Sequence, residues 1–273
     1  MTPTAATVIG VFDSGFGGLT VLRELLPLIP GAHYIYLGDT ARLPYGSKSQ
    51  ATIARYAVES ARFLEARGAD HLVIACNTAS ALAMREIAAA VRIPVAGVIE
   101  PVVRATQLRQ PAADTLILAT TATVQSHAYR NSCAALGLHP TEKACPLLVP
   151  LIEEGWIDHP VTRDVLGIYL REALDVCSPK VVILGCTHYP LIASLVAETL
   201  RSLRSAADVI DSAQATANAV QQMLSQNGTP ASATAAAATC EFFATDSVEK
   251  FARLGSGFLG RPVDHVQLLD LGG

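Results

Sequence analysis

Short apolar runs alternate with stretches of helical periodicity along almost the whole chain. The runs at residues 8–12, 34–37, 71–75, 95–99, 115–119, 181–184 and 208–211 are brief and rich in β-branched side chains, and they predict strands. Between them, residues 19–28, 53–66, 81–91, 161–176 and 191–203 set apolar positions three and four apart, which predicts helices. Runs such as LVIA and VVIL are apolar at every position, the pattern of a strand buried on both faces. The fold class that follows is α/β, with mainly parallel sheets flanked by helices. Residues 227–239, NGTPASATAAAAT, carry no large apolar side chain and read as an exposed loop. Residues 240–271 return to a strand, helix, strand pattern that completes a lobe.

Two of these strands end alike. Residues 71–78 read HLVIACNT and residues 180–188 read KVVILGCTH. Each is a buried strand followed by a cysteine, small hydrogen-bonding residues and a helical pattern. The cysteines, Cys76 and Cys186, lie 110 positions apart (186 − 76). Duplication of a lobe would produce this pair, and so would recurrence of a common α/β unit; both readings stay open on the sequence alone.

With 273 residues, 51% of them hydrophobic and 16% charged, the chain can bury a sizeable core and is not of disordered composition. A net charge of −4 without any Lys/Arg-rich run argues against a nucleic-acid partner and for a small-molecule ligand. No apolar run approaches the roughly 20 residues of a membrane helix. The start, MTPTAATVIGVFDSG, lacks the basic and apolar regions of a signal peptide, so a cytoplasmic protein is expected. Seven residues precede the first strand, and no N-terminal regulatory extension is expected. The six cysteines show no CxxC spacing, which points to free thiols and away from a zinc site.

Ligands of open α/β sheets bind at the carboxyl ends of the strands. There the sequence places Asp13 and Ser14 ahead of the glycines of SGFGG, then Asp39 and the turn Pro44-Tyr45-Gly46-Ser47. Further strand ends carry Cys76, Asn77 and Thr78, then Thr120, Thr121 and Thr123, then Cys186, Thr187 and His188. These short polar groups suit a small, multiply charged ligand. The first loop, Gly15-x-Gly17-x-x-Thr20, lacks the third glycine of a dinucleotide fingerprint; a tight turn with amides facing a small anion fits it better.

A free cysteine is ordinarily a small buried apolar residue, and Cys133, Cys145, Cys177 and Cys240 read that way. Cys76 and Cys186 differ in position, since each ends a core strand ahead of a helix whose N-terminus favours a thiolate. Starting from about 8.5, a thiol pKa needs only a modest shift to make a general base. One thiol per lobe fits two-base proton transfer with inversion at a carbon held between them. An α-proton is weakly acidic, so fixed hydrogen bonds must stabilise the carbanion, and Ser14, Asn77, Thr78 and Thr187 can supply them. His188 reads either as the proton partner of Cys186 or as a helix-start histidine bonded to backbone. Asp13 reads as a site acid or as an acid near a helix N-terminus, and Glu153, in PLIEEG, as a solvated surface acid.

The segments GVFDSGFGGLT (10–20), YLGDTARLPYGS (36–47), VIACNTAS (73–80), VAGVIEP (95–101), LGCTHYPL (184–191) and IDSA (210–213) occur in one order, and together they carry a resemblance. The chain resembles the glutamate racemase family of the aspartate/glutamate racemase superfamily, and FFATDSVEKFARLGSGFLG is similar to that family's last helix. The resemblance implies two pseudo-symmetric lobes, residues 1–100 plus 210–273 and residues 101–209, with the active site in the cleft between them. It implies interconversion of L- and D-glutamate without cofactor, whether pyridoxal phosphate, metal or nucleotide, and a supply of D-glutamate for peptidoglycan. By the same resemblance Cys76 acts on D-glutamate and Cys186 on L-glutamate, Asp13 assists Cys76, His188 assists Cys186, and Glu153 supports the histidine. Substrate contacts fall to Asp13, Ser14, Tyr45, Gly46, Asn77, Thr78, Thr187 and His188. Thr121 and Thr123 join them from Ala119-Thr120-Thr121-Ala122-Thr123, where the family usually has Gly-Thr-x-Gly-Thr. The family often forms dimers, and a homodimer is expected. Competing readings are an aspartate or hydantoin racemase of the same superfamily, or a non-catalytic small-ligand-binding protein on a two-lobed scaffold.

Overall fold

The computed structural model describes residues 7–226 and 238–272, so all but the last two residues of the predicted loop at 227–239 lie outside it. The ten strands described pair in parallel within two sheets. The first holds β1 (Val8–Asp13), β2 (His33–Gly38), β3 (His71–Ile74), β4 (Val95–Gly97), β9 (Thr239–Ala244) and β10 (Val266–Leu268), in the order β10-β9-β2-β1-β3-β4. The second holds β5 (Asp114–Ala119), β6 (His139–Ala144), β7 (Val181–Gly185) and β8 (Asp208–Asp211), in the order β6-β5-β7-β8. Laid side by side, β2-β1-β3-β4 and β6-β5-β7-β8 are the same arrangement. β3 and β7 therefore occupy equivalent places, and so do the cysteines that follow them. β9 and β10 extend the first sheet beyond β2.

Apolar side chains drive this layering. Every residue of β3 and β7 is buried, because helices cover both faces of each sheet. One core joins Leu19, Leu22 and Leu25 of α1 (Leu19–Leu28) to Val102 and Val103 of α5 (Ile99–Arg109) and Val220 of α11 (Ser212–Gln226), and continues to Ile117 and Ile183 of the second sheet. A second core on the other face of the first sheet packs Ile53, Ala57 and Leu64 of α2 (Gln50–Ala66) on Phe12, Leu37 and Leu72. α5 carries the chain from β4 to β5 and α11 carries it back from β8 to β9; the two crossing helices pack together, and α1 packs on α11.

Three local expectations change. The strand expected over 95–99 stops at Gly97: Val98 is already α-helical (φ −98°, ψ −13°), and Glu100 and Pro101 suit the first turn of α5. The helix expected over 81–91 divides into α3 (Asn77–Leu82) and α4 (Met84–Ala90) at Ala83 (φ −133°, ψ 1°). After Cys186 the chain makes a 3-10 turn, Tyr189–Ile192, before α10 (Ala193–Ser202), so this cysteine does not start an α-helix. No helix among the described residues is long and apolar enough to cross a membrane.

Candidate active site

The loop after β1 comes closer to its neighbours than any side chain would permit. A Cβ on Gly18 would lie 2.6 Å from Cβ of Asp13 and 2.8 Å from Cβ of Ala75, and one on Gly17 would overlap the His188 ring and the Thr187 hydroxyl. The glycines thus let the start of α1 meet both the end of β3 and the end of β7. A hydrogen bond confirms the approach: Thr20 Oγ1 donates to the Thr187 carbonyl at 3.0 Å.

Cys76 ends β3 and caps α3, accepting from the Ala79 amide at 3.4 Å, while its Sγ lies 3.4 Å from Ser14 Oγ. It is buried, as is Asp13. One Asp13 oxygen accepts from the Gly15 amide at 2.9 Å; the other, Oδ1, is buried without a partner among the described residues. Burial pushes the Asp13 carboxyl above the usual range, against the pull of the positive His188 and of the Gly15 and Gly18 amides. Burial, and then the Asp13 charge, push the Cys76 thiol up to about 12. The downward shift expected from the helix N-terminus does not occur: six-residue α3 cannot offset burial beside a carboxylate.

Cys186 ends β7, with Sγ 4.0 Å from His188 Nδ1. The Thr187 hydroxyl is 3.4 Å from the same nitrogen, and Nε2 faces Glu153 Oε1 at 3.1 Å. Glu153 ends α8 (Leu148–Glu153) with its side chain 19% exposed, so it is partly buried against the histidine and not the solvated acid that its local sequence suggested. Phe16 and Phe258 flank the imidazole at 6.0 and 4.9 Å between ring centres. Burial pulls the His188 pKa down, but hydrogen bonds and charge from Cys186 and Glu153 outweigh it and hold the pKa at about 10.

Further short polar groups follow Cys76 and bond to one another. The Thr78 hydroxyl is 3.1 Å from that of Thr120 and 3.3 Å from that of Thr123, and these two are 2.9 Å apart. Gly46 faces Thr120, and buried Tyr45 donates its hydroxyl to Asp39 at 2.6 Å. Asn77 accepts from the Tyr129 hydroxyl at 2.6 Å. The structure thus gathers Asp13, Ser14, Cys76, Asn77, Thr78, Thr123, Cys186, Thr187, His188 and Glu153 around linked contacts, with Tyr45 and Gly46 at the margin. Thr121 stays outside the hydroxyl cluster, and Thr120 takes part in its place. The reading of the sequence also missed Phe16, Phe258 and Tyr129, whose apolar or aromatic character marks them only as core. Among the described residues no three His, Cys, Asp or Glu side chains are grouped to hold a metal ion.

Residues 9–220 match the family model described as Asp/Glu/Hydantoin racemase. A glutamate racemase of Koribacter versatilis (strain Ellin345) is 50% identical over 290 residues, covering 97% of this chain and 98% of the relative. The crystal structure of glutamate racemase from Thermus thermophilus in complex with beta-chloro-D-alanine is similar at 38% identity and a TM-score of 0.86, covering 97% of both chains. That of the Francisella tularensis SCHU S4 glutamate racemase in complex with D-glutamate matches at 33% identity and a TM-score of 0.88, covering 97% of this chain and 98% of the other. Matched in sequence over most of its length and in fold over nearly all of it, the chain belongs to the Asp/Glu/Hydantoin racemase family.

Proposed function

We propose that the protein interconverts L- and D-glutamate by two-base proton transfer at the α-carbon, with Cys76 and Cys186 on opposite faces of the substrate. The observation that carries this reading is the pair of buried thiols at equivalent strand ends, each beside its own proton partner. With L-glutamate, the Cys186 thiolate, paired with the His188 imidazolium, takes the α-proton, and the Cys76 thiol delivers its proton to the other face. One C–H bond breaks and one forms; one S–H bond forms and one breaks. In the reverse direction Cys76 must first lose its proton, and Asp13, whose raised pKa makes it a competent acceptor, assists. Glu153 steadies the charged histidine. Ser14, Asn77, Thr78, Thr187 and the threonines near 120–123 hold the substrate carboxylates and the developing charge in a site preorganised for them. Tyr45 and Gly46 close one side.

Glutamate is favoured over aspartate or a hydantoin by the half-identical glutamate racemase and by the relative whose complex holds D-glutamate. The same reading has the enzyme work in the cytoplasm as a homodimer, without nucleic acid, membrane or cofactor, to supply D-glutamate for peptidoglycan. Its lobes would be residues 1–100 plus 210–273 and residues 101–209, a division supported by the two separate sheets, with β8 lying at the boundary.

Circular dichroism of L-glutamate incubated with the purified protein, without added cofactor and with L-aspartate in parallel, tests the proposal. The expected outcome is decay of the glutamate signal alone at constant total glutamate. Decay with aspartate alone would replace the substrate. A steady signal with both, in folded and reduced protein, would leave a binding protein as the better reading.

A further inference from the structure

α6 (Thr121–Ser126) and α7 (Ala128–Ala135) meet at His127, which adopts the left-handed conformation (φ 54°, ψ 19°), an uncommon state for a residue with a side chain. The surroundings over-determine this kink. The His127 ring lies 3.1 Å from the buried Glu142 carboxylate. Ser126 Oγ donates to the Thr123 carbonyl at 2.6 Å and accepts from the Ala128 amide at 3.2 Å.

The kink aims Tyr129. Its ring is fully buried and lies against Gly185, where a Cβ would come within 3.1 Å of Cε2. From this position beside the strand that carries Cys186, its hydroxyl donates to Asn77 Oδ1, next to Cys76, at 2.6 Å. The Asn77 Nδ2 faces Ser212 Oγ at 3.5 Å. With Oδ1 committed to Tyr129, the amide cannot turn over, and the second N–H of Nδ2 has no acceptor among the described residues. We propose that Tyr129 is a positioning residue: it fixes the Asn77 amide so that its free N–H faces the substrate from the Cys76 side. The inference rests on the reading of Asn77 as a substrate contact.

Steady-state kinetics in both directions on Tyr129→Phe, Asn77→Ala and the double variant test it. Tyr129→Phe keeps the ring, and it should raise KM for both enantiomers by about five- to tenfold, the worth of one well-placed hydrogen bond, with a much smaller effect on kcat. Asn77→Ala should raise KM at least as far, and Tyr129→Phe should then add nothing in the Asn77→Ala background. An unchanged KM in Tyr129→Phe beside a raised KM in Asn77→Ala would overturn the positioning role and spare the role of Asn77. An equal loss in both backgrounds would reduce Tyr129 to core filling. An unchanged KM in Asn77→Ala would remove Asn77 from the site and the proposal with it. Should Tyr129→Phe fail to fold, Ser212→Ala frees the same amide from its other partner; a smaller KM rise that vanishes in the Asn77→Ala background is expected, and no rise overturns the proposal.

Discussion

His188 sits where an imidazolium should be costly, buried between Phe16 and Phe258, yet Cys186 and Glu153 hold its pKa at about 10 against an ordinary 6.5. Folding therefore strengthens proton binding at this site. The stability it contributes is full below pH 6.5 and is lost as pH rises through 10. Denaturant midpoints of the parent and of His188→Asn, followed from pH 6.5 to 10, should show the parent's advantage shrinking across that window; a constant gap would mean that the histidine is not charged in the fold. Glu153→Gln removes an anion, so the His188 titration followed by NMR should move to lower pH. On the proposed mechanism, Cys76→Ser and Cys186→Ser should each cut racemisation by at least about 100-fold while leaving the fold intact, since each would remove a proton-transfer group. Full activity in either variant would end the two-thiol mechanism. The two cysteines could be read from their place at strand ends, whereas the pairing of Glu153 with His188 came from the family resemblance alone: the two lie 35 positions apart, and only the packing of α8 brings them together.

The glycine turn between β1 and α1 makes the strongest prediction about an element. Gly17→Ala would drive a methyl group into His188 and Thr187 with no flexible side-chain end to give way, so the start of α1 must shift. A loss of about 1–3 kcal/mol in urea unfolding is expected, together with a fall in kcat/KM larger than the lost stability explains. An active, equally stable variant would show that α1 and β7 can separate without harm. The central strands were legible because burial on both faces demands apolar residues throughout, as in β3 and β7. β6 was not: HPTEKA lies at the edge of its sheet, half-buried, and carries no apolar run. The threonines show a finer limit. Thr120 caps α6 from an extended conformation (φ −70°, ψ 159°) and bonds to Thr123 three residues on, while Thr121 begins the helix and makes none of these contacts. Choosing between them requires knowing the residue at which the helix starts, and boundaries are what a sequence pattern specifies least.

For the molecule as a whole, the repeated strand order gives the two similar segments a common setting. β2-β1-β3-β4 and β6-β5-β7-β8 match strand for strand, so the motifs around Cys76 and Cys186 occupy equivalent places in the two sheets. The second half is also nested inside the first, because β9 returns to pair with β2, joining Thr239 to His33 across 206 positions (239 − 33). That nesting sets an order on synthesis. While the chain leaves the ribosome, the outer edge of β2 must wait open until β9 emerges, on the order of ten seconds at ordinary elongation rates. The four strands of the inner half have all their pairing partners by residue 211 and can pair at once. Nascent chains stalled with residue 226 just outside the ribosome should therefore protect the inner sheet from protease while the outer one stays cleavable. In this interval the unpaired β2 edge is the protein's point of exposure to aggregation, and the place where a chaperone would be needed.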